Sequence, residues 1–271
     1  MKNSYALEKL APEHLKKIMQ YDHAEIDNPK PYAINKLNYW DRIQTVIDLI
    51  EKNYPNPTGI HIAELGCAQG NMSLLLAEKG YVVTAVDQNE KFLEYSRLKY
   101  EKGALQWIQA NFSEANIPIQ PVDVAILGEI IEHCAYPEKV IENILSYVKP
   151  GGICIITTPN GSRIKAQLPS FKQVLKRYPR DTLAQKQFGP DGSDHLFLFT
   201  LKEAQSIIPQ QTKLLESGYL GGSILIHASN LALLAWLRPS AFKKMLRFLA
   251  KIPVINKRTF NNFYLIFKKV N

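Results

Sequence analysis

From residue 60 onward, short apolar runs alternate with amphipathic stretches, and this rhythm limits the fold more than any other feature of the chain. The runs Ile60–Leu65, Tyr81–Val86, Leu105–Ala110, Val122–Leu127 and Gly152–Thr158 read as strands. Between them, segments near 70–79, 90–101 and 138–148 carry apolar residues at helical spacing. Alternation of this kind demands βαβ units, a parallel sheet and helices covering both of its faces.

The flanks do not follow the rhythm. Residues 11–20 and 33–52 read as helices; in the second, Leu37, Trp40, Ile43, Val46, Ile47 and Ile50 share a face, and Pro55-Asn56-Pro57 stops it. After residue 160 the pattern lapses, until Thr200-Leu-Lys-Glu203 offers a capping box for a helix over Leu201–Ile208. Lys213–Ser217 and Asn262–Phe267 read as closing strands, and 220–260 as a helical insertion between them. The expected fold class is α/β: a doubly wound, mostly parallel seven-stranded sheet with N-terminal helices and a late helical insertion. Its parts are an N-terminal helical extension (1–57), a core (58–219), an insertion or lid (220–260) and a final strand (261–271).

In open α/β sheets a nucleotide-like ligand sits beyond the carboxyl end of the first strand. Here that strand runs into Glu64-Leu-Gly66-Cys-Ala-Gln-Gly70-Asn71. A dinucleotide fingerprint beginning at Gly66 needs glycine at 68 and 71, where Ala68 and Asn71 stand. Glu64 also opposes a pyrophosphate, whereas a carboxylate there attracts an ammonium or sulfonium cation. Asp87 ends the second strand, where an acid suits hydrogen bonding to ribose hydroxyls.

With these residues the chain resembles the class I S-adenosylmethionine-dependent methyltransferases over roughly residues 60–218. Glu64-Leu-Gly66-Cys67-Ala68-Gln-Gly70 is similar to the loop that wraps the methionine moiety, and Asp87, followed by Gln88, to the ribose-binding acid. Asn111, followed by Phe112, stands where the family usually presents an Asp to the adenine amine. Pro121 to Gly128-Glu129 resembles the fourth strand and its loop, and Val148 to Asn160 the turn and fifth strand. The resemblance implies a Rossmann-like methyltransferase fold, S-adenosylmethionine as cofactor, and the loop residues, Asp87, Gln88, Asn111, Phe112 and Gly128 as its binders.

Glu129-Ile-Ile-Glu132-His133 follows the fourth strand, and on a helical turn its two carboxylates and imidazole share one face. His195 precedes the capped helix. This set resembles that of the ubiquinone-biosynthesis O-methyltransferase group, and also that of RNA 3′-terminal 2′-O-methyltransferases. It implies catalytic roles for His133, Glu132 and His195, with His133 as general base, and a divalent cation such as Mg²⁺ held by Glu129, Glu132, His133 and His195. The activity expected is O-methylation of a small molecule. A metal-assisted RNA 2′-O-methyltransferase is the alternative, and an NAD-dependent oxidoreductase a more distant one.

Charge bears on the acceptor. The net charge is +8, but residues 1–150 hold 15 basic and 20 acidic side chains, while 151–271 hold 18 and 5. The excess points to an anionic or lipid-like acceptor or a membrane surface. The basic stretch from Arg163 to Arg180 has few interleaved aromatics, which disfavours a nucleic-acid stacking platform. Residues 241–252 form a basic amphipathic helix, either a lid or a peripheral membrane contact. The first ten residues lack the apolar stretch of a secretory signal. The longest apolar region, Gly221 to Leu237, is broken by His227, Ser229 and Asn230 and falls short of a spanning helix of ~20 residues. Only three scattered cysteines, Cys67, Cys134 and Cys154, suit a reducing compartment. The expectation is a cytoplasmic protein.

Overall fold

The computed structural model describes residues 1–30, 33–112, 117–164, 166–187, 195–221 and 239–270. Seven strands form one sheet: β1 (His61–Leu65), β2 (Val82–Asp87), β3 (Ala104–Gln109), β4 (Val122–Gly128), β5 (Val148–Pro159), β6 (Thr212–Leu220) and β7 (Asn262–Lys269). Their spatial order is β3-β2-β1-β4-β5-β7-β6. The first five pair in parallel, and β7 runs antiparallel to both β5 and β6. The expected mostly parallel seven-stranded sheet is what forms. β5 starts earlier than the apolar run suggests and β6 continues to Leu220.

After a single helical turn at Ser4–Leu7, the helices among the described residues are, in chain order, α1 (Lys16–Ala24), α2 (Ile34–Asn53), α3 (Asn71–Glu78), α4 (Glu90–Lys99), α5 (Pro137–Tyr147), α6 (Phe171–Leu175), α7 (Arg180–Ala184), α8 (Leu201–Ser206), α9 (Pro239–Leu249) and α10 (Pro253–Thr259). The stretch read as a helix over 11–20 is divided: a 3-10 turn at Glu13–Leu15 leads into α1. The capping box forms as expected, Thr200 Oγ1 accepting from the Glu203 backbone N–H and Glu203 Oε2 from that of Thr200. Of the expected insertion, α9 and α10 are helical, and 222–238 lie outside the described residues.

The apolar strand runs follow from burial on both faces. Ile62, Val124, Ile126, Ile153, Ile155 and Ile266 point to one side, where α2 covers them with Ile43, Val46, Ile47 and Ile50. Their neighbours Ala63, Leu65, Ala125, Leu127, Cys154 and Ile156 point to the other, against Val140, Ile141, Ile144 and Leu145 of α5. Alternation of side-chain direction along a strand therefore leaves no polar face to signal. The strand order reverses at β1, which has β2 on one side and β4 on the other, so a crevice opens beyond the carboxyl ends of β1 and β4.

Candidate active site

The crevice is a cavity of about 870 Å³. Its floor is the loop after β1. The N–H groups of Gly66 and Cys67 both donate to the Val86 carbonyl, at 2.8 and 3.0 Å, which ties the loop to β2. Gly66 has φ +71°, and a Cβ there would lie 2.2 Å from Ile130 Cδ1, so conformation and space both require glycine. Ala68 also takes a positive φ, 45°. Its N–H donates to Asp87 Oδ2 at 2.9 Å, while Asp87 Oδ1 accepts from Asn89 N at the same distance. Asp87 thus sets the loop and keeps acceptor capacity toward the cavity it lines.

Glu64 is buried, with Oε2 accepting from the backbone N–H and hydroxyl of Ser73 at 2.9 and 2.5 Å. Burial, opposed by those bonds, pushes its carboxyl up to about 7. Of the other expected cofactor residues, Cys67, Gln88, Phe112 and Gly128 line the cavity; Gly70 and Asn111 are not among the lining residues, although their neighbours Gln69, Asn71, Gln109 and Phe112 are. Burial also holds the Cys67 thiol well above its usual range, away from nucleophilic use.

The opposite wall comes from the N-terminal helices. Asn35, Asn38, Tyr39 and Arg42 of α2 line the cavity, with Tyr21 and Glu25 from α1 and its end. The spacing i, i+3, i+4, i+7 puts the four α2 residues on one helical stripe, a polar signal that reading the apolar face alone overlooks. The Arg42 guanidinium stands 5.1 Å from the Tyr39 ring centroid, with Nη1 3.9 Å from Glu129 Oε1. Burial, offset by Arg42, pushes Glu25 up to about 7.

Beneath this wall lies a polar cluster with no counterpart in the sequence motifs. Asp22 and Lys99 are 0% and 1% exposed and pair at 2.6 Å. Asp22 also accepts from Tyr95 Oη at 2.9 Å and from Asn71 Nδ2 at 2.7 Å. Asn71 Nδ2 is 2.8 Å from Tyr39 Oη, and Asn71 Oδ1 takes a further bond from Lys99. Asn71 opens α3 directly after the loop, so α1, α2 and α4 all meet at the cofactor loop's end.

The acidic–histidine segment departs from the expected helical face. Glu129 has φ 60° and Ile131–His133 form a 3-10 turn, which separates Glu129 from the other two side chains. Its carboxylate accepts from Thr157 Oγ1 at 2.8 Å and from Asn262 Nδ2 at 2.5 Å. Glu129 is therefore not in the group that converges. That group is Glu132, His133 and His195, whose ligand atoms lie within 4.8 Å of one another. The Leu196 N–H donates to the Glu132 carbonyl at 3.0 Å and holds the two segments together. The His133 and His195 rings meet edge to face at 4.7 Å, and both line the cavity.

Glu132 is 0% exposed; Oε2 accepts from Thr158 Oγ1 at 2.9 Å, while Oε1 has no hydrogen-bond partner among the described residues and lies 3.9 Å from His195 Nε2. Burial, reinforced by Glu129, drives its carboxyl well above the usual range. A buried acceptor without a donor is costly unless a proton or cation supplies the charge.

A glycine-turn cradle at the switch point, an acid at the end of β2 and a titratable cluster line one cavity, an arrangement similar to that of S-adenosylmethionine-dependent methyltransferases. The family model described as a methyltransferase domain matches residues 63–156. Among curated proteins, the chain is 33% identical over 152 residues to the ubiquinone biosynthesis O-methyltransferase of Rickettsia prowazekii, covering 54% of this chain and 60% of that protein. It is 28% identical over 180 residues to the protein of that name from Rickettsia typhi, covering 64% and 72%. The chain thus spans less than two thirds of the length of the first of these relatives. Among solved structures, it resembles the N-methyltransferase NodS of Bradyrhizobium japonicum in complex with S-adenosyl-l-homocysteine, with a TM-score of 0.53 at 13% identity over the full length of both chains. The RNA and nicotinamide alternatives find no support in these comparisons. Among the described residues no helix is long and apolar enough to cross a membrane.

Proposed function

We propose that this protein transfers a methyl group from S-adenosylmethionine to a hydroxyl oxygen of a small molecule. The observation that carries this reading is that the cofactor cradle and the His133–His195 pair line one cavity. The names of the curated relatives favour oxygen as the acceptor atom. Asp87 would bond the ribose hydroxyls, and Glu64 would face the cofactor's cationic end. Arg42, at the cavity wall, would meet the methionine carboxylate. His133 would take the hydroxyl proton as the oxygen attacks the methyl carbon. The carbon–sulfur bond breaks, its electron pair stays on sulfur, and a neutral thioether leaves. The chain's main work is alignment and exclusion of water.

A second reading rests on Glu132 Oε1, buried beside two imidazoles and without a hydrogen-bond partner among the described residues. Glu132, His133 and His195 fit a divalent cation; two nitrogen donors and one oxygen suit a transition ion better than Mg²⁺. Bound there, such an ion would lower the pKa of an acceptor hydroxyl. The basic excess after residue 150 supports an acceptor with anionic or lipid-like character. Three free, buried cysteines favour the cytoplasm. Methyl transfer to hydroxylated aromatic acceptors, assayed with and without chelator, tests both readings. No transfer to any hydroxyl acceptor defeats the first, and full activity in chelator defeats the second.

A further inference from the structure

Neither α9 nor α10 contributes a residue to the cavity lining. One face of α9 is spent on the protein: Phe242 and Leu246 are buried against Ile34 and Leu37 of α2, and Arg247 pairs with Asp48 of α2. This fixes α9 on the outer side of the helix that carries Asn38, Tyr39 and Arg42 into the cavity. The other face turns outward. Phe248 is 66% exposed, and Val254, at the start of α10, is 79% exposed. The corner between them is closed by Asn256 Nδ2 donating to the Ala250 carbonyl at 2.7 Å. Ile164, 51% exposed, joins them through its N–H, which donates to the Arg258 carbonyl at 2.8 Å.

The surrounding charge has one sign. Residues 239–261 contain six Lys and Arg and no Asp or Glu. Lys244, Lys251, Lys257 and Arg258 are all exposed, and among the described residues none pairs with a carboxylate. Bare apolar side chains at a helix corner, ringed by cations, match the two requirements of reversible binding to an anionic bilayer: apolar groups that enter the headgroup boundary and charges that meet lipid phosphates. A nucleic-acid strand would find one aromatic ring, Phe248, and two aliphatic side chains that offer no stacking.

We propose that the α9–α10 corner docks the protein on an anionic lipid surface, with Phe248, Val254 and Ile164 inserted and the four cations on the headgroups. Since α9 lies on α2, docking holds the cavity wall close to the leaflet. The proposal does not depend on which group the cavity methylates.

The test is co-sedimentation of the full chain with phosphatidylcholine vesicles, with and without phosphatidylglycerol, at low and high salt. Binding should require phosphatidylglycerol and weaken with salt. The double variant Phe248→Asp/Val254→Asp and, separately, Lys251→Glu/Lys257→Glu should each bind about tenfold or more weakly. Both should keep wild-type circular dichroism and wild-type affinity for S-adenosylhomocysteine, because every altered side chain is exposed and remote from the cradle. Absence of binding to anionic vesicles, equal binding by folded variants, or displacement from vesicles by a short RNA would each overturn the proposal.

Discussion

Replacing Asp22 with alanine strands Lys99 at 1% exposure, where burial already lowers the ammonium's pKa. Removing one partner of a buried ion pair costs about 3–5 kcal/mol, because the remaining charge is left uncompensated. Tyr95 and Asn71 each lose an acceptor as well. These losses share one cavity and do not simply add, so the expected destabilisation is about 4–5 kcal/mol. With an m-value of about 3 kcal/mol/M, the urea midpoint falls by about 1.5 M. Adding Lys99→Met should recover at least ~2 kcal/mol, since an apolar side chain needs no counter-charge. Asn71 holds the start of α3 beside Gly70, so Asp22→Ala should also weaken S-adenosylhomocysteine about tenfold at temperatures where the variant is folded. Urea denaturation of the single and double variants measures the first effect, and calorimetric titration the second. A loss under ~1 kcal/mol for Asp22→Ala, or no recovery in the double variant, refutes the charge-pair account.

Gly66→Ala combines a positive φ with a Cβ 2.2 Å from Ile130 Cδ1; it should cost about 1–3 kcal/mol and abolish cofactor binding, both read from thermal shifts with and without S-adenosylhomocysteine. Glu64, about 7 when folded and near its ordinary value when unfolded, holds its proton more tightly in the folded state. Its contribution to stability is therefore full below about pH 4.5 and lost as pH rises through 7, by up to about 3 kcal/mol. Urea midpoints across that range should fall more steeply for wild type than for Glu64→Gln, and parallel curves would contradict the assignment. Arg42→Met should raise the S-adenosylhomocysteine dissociation constant at least about tenfold while leaving adenosine binding unchanged; an equal loss for both ligands would show that Arg42 acts through the fold.

What could be read from the chain alone followed from local chemistry. The strands were legible because both sheet faces are apolar, the Thr200 cap because donor and acceptor are three residues apart, and the loop after β1 because only glycine tolerates Gly66's position. The placement of β7 between β5 and β6 has no local signature; it is the way the insertion returns its last strand to the sheet. The same limit separated Glu129 from Glu132 and His133. Helical spacing put them on one face, yet Glu129 is held by Thr157 and Asn262, partners 28 and 133 residues away. Asp22 and Lys99, 77 residues apart, could not be paired from sequence. Arg42 is recoverable, since Asn35, Asn38, Tyr39 and Arg42 form a polar stripe beside the apolar face of α2.

The residues that line the cavity beyond β1 and β4 suit S-adenosylmethionine. Calorimetric titration of the purified chain with S-adenosylhomocysteine, against NAD as control, tests that fit most directly. One site per chain for S-adenosylhomocysteine, lost in Gly66→Ala, and no heat from NAD are expected. Binding of NAD in its place, or no binding of S-adenosylhomocysteine by folded protein, would contradict it.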